Sequence, residues 1–265
     1  MKTYPQRKPN WFRKTVRSLL RRCTDTFNKH TEFYVAAKPD FHTGFYRIRD
    51  FDALYADWIR QNGRIDRGDL TRFYFLYLQI ESLQSNGIEG AFAELGVFRG
   101  TTAKLFRTLA PERELYLFDT FEGFAAEDVR KEGLKKHLTG GWNVSLEKVK
   151  AFVGEQNTHF LKGRFPETAT MVPEQTRFAL AHLDADLYAP QLAGLSFFYP
   201  RMVKGGAMIV HDCNSSWTGS RKALDEFFAD KPESPVFMPD KSGSAVVIKS
   251  QPSTIPHREL PKAIT

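Results

Sequence analysis

The segment Ala91-Phe92-Ala93-Glu94-Leu95-Gly96-Val97-Phe98-Arg99-Gly100-Thr101-Thr102 sets a short, mostly apolar run against a turn bounded by glycines and a pair of threonines. It reads as a strand over Ala91 to Leu95 and a helix over Thr101 to Leu109, because a run this short favours a strand and the glycines end it. Leu115 to Phe118 then reads as a second strand. The alternation continues with a helix from Ser145 to Val153, strands near His159 to Leu161 and Phe178 to Leu183, and a helix from Leu187 to Tyr199. A strand from Ala207 to Val210, a helix from Arg221 to Phe228 and short strands around Val236 to Met238 and Ala245 to Ile248 complete it. Strands alternating with helices predict an α/β fold: a mostly parallel seven-stranded sheet with helices on both faces.

Upstream, residues 51–62 read as a short helix. From Asp69, an N-cap, to a stop at Asn86 and Gly87, the chain is strongly apolar and reads as a core-packing helix. In residues 10–28, Phe12, Val16, Leu19, Leu20, Cys23 and Phe27 recur at helical spacing, with Arg13, Lys14, Arg17 and Arg21 on other faces. The expected organisation is a basic amphipathic N-terminal helix over 1–30, a helical substrate or cap region over 31–88, a sheet domain over 89–250 and a polar, proline-containing tail over 251–265.

The charge is concentrated. The chain of 265 residues carries a net +7, yet its first 24 residues hold eight basic side chains and no acid, so the remainder is close to neutral. That pattern describes a basic appendage and argues against nucleic acid as a partner. One reading of residues 10–28 is peripheral contact with an anionic membrane face or a partner; the other is a helix capping its own domain. No apolar stretch approaches the ~18 residues of a membrane span, and arginines interrupt any signal-peptide core. Two distant cysteines, Cys23 and Cys213, build no disulfide framework, which points to a reducing cytoplasm.

In open α/β sheets ligands bind beyond the carboxyl ends of the strands. The first strand end offers Glu94, Gly96, Gly100 and Thr101; it lacks the spacing of a dinucleotide site or a P-loop, which disfavours a nicotinamide-dependent dehydrogenase. Asp119 follows Gly96 by 23 positions, near the ~20-residue interval at which an acid meets ribose hydroxyls, or it is a turn residue. The later strand ends are Leu183-Asp184-Ala185-Asp186-Leu187-Tyr188 and Val210-His211-Asp212-Cys213-Asn214. Carboxylates brought together at one sheet edge repel unless a cation or a proton intervenes. The alternative is that Asp184 and Asp212 cap loops and His211 is a satisfied buried histidine.

With those blocks in view, the chain resembles the macrocin O-methyltransferase family, which acts on sugars and phenols of macrolide and aminocoumarin antibiotics. The resemblance runs from about Gly90 to Ile248. Besides the strand ends it rests on Phe118-Asp119-Thr120-Phe121-Glu122-Gly123-Phe124, Val144 to Val149, Gly163-Arg164-Phe165-Pro166-Glu167-Thr168, Lys204-Gly205-Gly206 and Arg221 to Phe227. It implies a Rossmann-like class I methyltransferase fold, S-adenosylmethionine as methyl donor, and a divalent metal, Mg²⁺ or Mn²⁺, held by three carboxylates of which the first is also the general base. By position these fall on Asp184, His211 and Asp212, so this chain departs from the pattern at the middle ligand. Imidazole suits later first-row ions better than Mg²⁺. Either the metal differs, or Asn214 supplies an oxygen, or His211 acts as a base without metal. Asp186 matches the family's following acid.

On this resemblance Glu94, Gly96, Gly100, Thr101 and Asp119 are expected to bind the donor, with Asp184 and His211 catalytic. The expected partners are a small-molecule or sugar acceptor and, in a homo-oligomer, a second copy of the chain. The loop from Glu122 to Trp142 is either a closing lid or a solvated surface. The competing functional reading is a catalytically silent relative that binds a nucleoside and associates with a membrane or partner through its basic helix.

Overall fold

The computed structural model describes residues 51–62, 69–135, 138–214 and 218–251, together with Thr15, Leu19, Arg22, Cys23 and Thr26. Those five isolated residues are helical; the rest of the basic segment, residues 29–50, Lys136, His137 and the tail beyond Gln251 lie outside the described residues. Residues 1–53 and 54–265 form two compact units. Residues 54–62 and 69–88, expected in a cap region, therefore belong to the unit that holds the sheet.

The sheet has the order β3-β2-β1-β4-β5-β7-β6. Its strands are β1 (Ala91–Leu95), β2 (Leu115–Asp119), β3 (Thr158–Lys162), β4 (Phe178–Leu183), β5 (Met202–Val210), β6 (Val236–Met238) and β7 (Ser244–Ile248). The first five run parallel, and β7 is antiparallel to both of its neighbours. The helices are α1 (Phe51–Asn62), α2 (Leu70–Ser85), α3 (Thr101–Leu109), α4 (Ala126–Lys131), α5 (Leu146–Val153), α6 (Tyr188–Phe198) and α7 (Gly219–Phe228).

Every residue of β1 and β4 is buried, as a parallel strand covered on both faces requires. On one face Phe178, Leu195, Phe198 and Leu224 join a continuous core in which the Phe118, Phe165 and Phe178 rings each contact Phe198. Burying one such phenylalanine stabilises the fold by roughly 2–3 kcal/mol. On the other face Phe106 of α3 packs edge-on against Phe92 and His182, and Phe73, Leu76 and Ile80 of α2 are fully buried. Asp69 caps α2, its carboxylate accepting the Arg72 N–H at 3.2 Å.

Two local readings need correction. β5 begins at Met202, five residues before the expected start, because Gly205 and Gly206 pair with Lys249 across the sheet instead of turning the chain. The described part of the segment 122–142, expected as a lid or a solvated loop, is not wholly solvated: it contains α4, closes on itself through Gly140 N–H to Phe124 C=O, and anchors to α6 where Glu132 accepts the Tyr188 N–H at 2.7 Å.

Candidate active site

The chain leaves β1 toward β2 and β3 but leaves β4 toward β5, so the crevice between the ends of β1 and β4 is the switch point of the sheet. Register places Leu95 beside Phe118 and Leu183, and Leu183 beside Val210. The residues that follow therefore form one row along the sheet edge: Asp119, Gly96, Asp184 and His211. They line a cavity of about 1000 Å³, together with Glu94, Gly100's neighbours Arg99 and Thr101, and Asp186 and Asp212.

On the β1 side, Gly96 sits at φ 87°, and a Cβ there would stand 2.0 Å from the Asp184 carbonyl oxygen. Gly100, at φ 77°, is the N-cap of α3 and lies against Val153 and Val149 of α5. Thr101 opens α3 at the cavity wall. Asp119 accepts N–H groups from Val97 and Phe98 on Oδ2, both at 2.8 Å, and from Phe121 on Oδ1 at 2.7 Å. The carboxylate thus shapes the loop as a turn residue does, and it also lines the cavity, so the two readings of Asp119 are not exclusive. Glu94 is nearly inaccessible, and its Oε1 lies 3.1 Å from His182 Nδ1.

On the β4 and β5 side, His211 Nδ1 is 2.9 Å from Asp184 Oδ1 and 3.4 Å from Asp212 Oδ2. Its Nε2 is 2.9 Å from Arg72 Nη1 and 3.2 Å from the Lys241 carbonyl oxygen. Arg72 donates to Nε2 when that nitrogen carries a lone pair, and Nε2–H donates to Lys241 when it carries a proton. Burial works against a charged His211, but Asp184 and Asp212 together outweigh it and raise the imidazole well above its usual value. Burial likewise works against charged carboxylates at Asp184 and Asp212, and the His211 contact lowers both. Asp186 is raised, by burial first and then by Asp184 and a hydrogen bond with Asp212. Asp186 and Asp212 both hold left-handed backbone, φ 60° and 59°, which aspartate tolerates better than most residues.

The three expected metal ligands are together, with donor atoms within 4.8 Å of one another. Their chemistry does not fit Mg²⁺, which wants oxygen donors in octahedral geometry. One of the three donors is an imidazole whose Nδ1 is engaged by the two carboxylates, and a buried guanidinium touches its other nitrogen. Asn214 does not repair the set, being exposed and absent from the cavity lining. The cluster already balances itself: two carboxylates pushed toward the acid form, two held ionised, Arg72 and a basic His211.

Two site residues were missed in the sequence. Arg72 sits in the first turn of an apolar helix, and the one available signal was an arginine among buried positions. His182 is the lone polar residue of the run Phe178-Ala179-Leu180-Ala181-His182-Leu183.

Residues 68–245 match the family model described as macrocin-O-methyltransferase (TylF). The chain is 27% identical over 158 residues to 8-demethyl-8-(2,3-dimethoxy-alpha-L-rhamnosyl)-tetracenomycin-C 4'-O-methyltransferase of Streptomyces olivaceus, covering 54% of this chain and 60% of that one. It is also 27% identical over 184 residues to demethyldecarbamoylnovobiocin O-methyltransferase of Streptomyces niveus, covering 61% and 69%. Among solved structures, the O-methyltransferase NovP superposes with a TM-score of 0.59 at 23% identity over 68% of this chain and 80% of that one. The calicheamicin methyltransferase CalS11 gives 0.55 at 19% identity over 82% and 99%. These structural likenesses establish the class I methyltransferase fold.

Proposed function

The chain belongs to the macrocin-O-methyltransferase family, and from that premise we propose that it transfers a methyl group from S-adenosylmethionine to a hydroxyl of a sugar or phenolic natural product. The observation that carries this reading is the single row of strand ends. It sets a glycine-shaped loop and Asp119 on one side of a cavity, and the Asp184–His211 pair on the other.

The residues fit the donor. Gly96 holds a positive φ where a side chain would collide with the Asp184 backbone, which keeps backbone close to the cavity; Gly100 instead faces Val149 and Val153 of α5 and does not line the cavity, and Glu94 Oε2 is a buried oxygen without a hydrogen-bond partner. Gly96, Thr101 and Glu94 would border the methionine end, with Gly100 turning the chain into α3 behind them, and Asp119, with acceptor capacity left on Oδ1, the ribose. When bound, the donor supplies a methyl group already activated on a sulfonium.

The chain's own task is then to align the acceptor oxygen and remove its proton. Asp184 is the accepting group: it is one-quarter exposed, whereas His211 is 8% exposed. His211 fixes Oδ1 at 2.9 Å, leaving Oδ2 for the acceptor hydroxyl. A weakly basic carboxylate suffices, because a hydroxyl oxygen that gains a methyl carbon becomes strongly acidic as the bond forms. His211 orients Asp184 and is the second proton-holding group. Because the donor set does not fit Mg²⁺, no step runs through a metal. A silent binding relative is not favoured, since the Asp184–His211 pair stands intact beside the cavity.

Transfer of labelled methyl from S-adenosylmethionine to a panel of deoxysugar and phenolic acceptors, with release of S-adenosylhomocysteine, tests the proposal. Turnover supports it. Tight donor binding without turnover on any acceptor would favour the silent relative.

A cytoplasmic location accords with two free cysteines. Among the described residues no helix is long and apolar enough to cross a membrane. For residues 10–28 peripheral contact with an anionic membrane face remains our proposal; sedimentation with anionic vesicles at low salt is expected, and its absence leaves only the packing role.

A further inference from the structure

Three carboxylates meeting at a sheet edge need positive charge between them, and ordinarily a dication supplies it. In this chain the middle position is an imidazole, and both of its nitrogens are in contact with other groups. A cation ligated at Nδ1 must displace the proton that bridges Nδ1 and Asp184; a cation at Nε2 meets the Arg72 guanidinium at 2.9 Å. Arg72 cannot yield by losing a proton, because a guanidinium stays charged. Nor is it free to swing away. Its side chain is 7% exposed, its Nε lies 3.8 Å from Asp69, and its guanidinium stacks 5.4 Å from the Trp58 ring. Asp69 in turn accepts the Lys241 N–H at 3.0 Å, and the Lys241 carbonyl closes the circle on His211. A buried arginine held this way, with Asp184 and Asp212 just beyond the ring it touches, is charge built into the fold.

We propose that Arg72, through the His211 ring it contacts, takes the place of the divalent cation, so that this site binds neither Mg²⁺ nor Mn²⁺ and orients the acceptor hydroxyl with groups of the chain itself. The role of Arg72 in catalysis rests on the methyltransferase reading, but the absence of metal binding does not. Arg72 is a positioning residue here, since it acts through His211.

The test is direct metal binding to the full chain, read by calorimetry for Mg²⁺ and by electron paramagnetic resonance for Mn²⁺. Wild type is expected to show no saturable site, and its turnover to survive exhaustive chelation. Saturable one-to-one binding that Asp184→Asn abolishes would overturn the proposal. The double variant Arg72→Gln with His211→Asp restores three carboxylates and removes the cation, and it is expected to gain a saturable site for Mg²⁺. A folded double variant without that gain would overturn the assignment to these two residues; if it does not fold, the wild-type resonance measurement decides alone. Arg72→Lys should restore part of the kcat lost in Arg72→Gln while KM for the donor stays unchanged, and a shift confined to donor KM would also overturn the assignment. Failure of the donor to bind, measured separately, would strike the methyltransferase reading and leave the metal result standing.

Discussion

Glu94 and His182 are register partners on the adjacent parallel strands β1 and β4, and they meet at 3.1 Å in the buried centre of the sheet. Burial pushes both toward neutrality. Glu94 is raised well above 4.5, by burial first and then by Asp184 and Asp119, while burial lowers His182 to about 4. Below pH 6.5 the unfolded chain binds a proton on the histidine that native His182 does not take up until about pH 4, and the raised Glu94 binds a proton in the native chain that opposes this effect. The two contributions to the pH dependence of stability therefore oppose each other. In Glu94→Gln the native proton is gone, while the unfolded chain still binds one below pH 6.5. The variant should lose stability as pH falls below 6.5, by up to about 1.4 kcal/mol per pH unit, and more steeply than wild type. The loss should level off near the His182 value of about 4. Melts of both proteins across this range check it; parallel curves would refute the neutral pair.

Gly96→Ala should cost more than about 2 kcal/mol, since the new Cβ meets backbone as well as adopting a disfavoured φ. Gly133 shares a positive φ but faces open space, so Gly133→Ala should cost only about 1 kcal/mol. Denaturant midpoints compare the two, and equal costs would show that the approach of β1 to Asp184 is not tight.

Asp119→Ala removes the acceptor of three backbone N–H groups and, on the proposed placement of the donor, a ribose contact. Donor affinity should fall by about 1–3 kcal/mol, and the melting temperature should fall with it. Calorimetry and melting together separate the two roles: a loss of stability with unchanged affinity would leave Asp119 as a turn residue alone.

Asp184→Asn should lower the single-turnover rate by about 10²–10⁴ with donor affinity little changed, as expected for loss of a proton acceptor. A variant that turns over normally would move the base elsewhere, with His211 the first candidate.

Much of this fold was legible because burial on both faces writes itself as short apolar runs. β1, β4 and β6 have the expected bounds, and α3 spans Thr101–Leu109 as expected. Two elements escaped for opposite reasons. α4, Ala126–Lys131, is too short and polar to show a period, and the first half of β5 is disguised by Lys204-Gly205-Gly206. Asp184, His211 and Asp212 could be placed at one edge from strand order alone. Arg72 could not, because the 139 positions separating it from His211 carry no local signal and only packing of α2 brings them together.

Calorimetric titration of the wild-type chain with S-adenosylhomocysteine tests the account most directly, because it needs no acceptor. One saturable site per chain is expected, weakened in Asp119→Ala and retained in Asp184→Asn. No saturable heat in wild type, or binding indifferent to Asp119, would contradict the placement of the methyl donor at the end of β1.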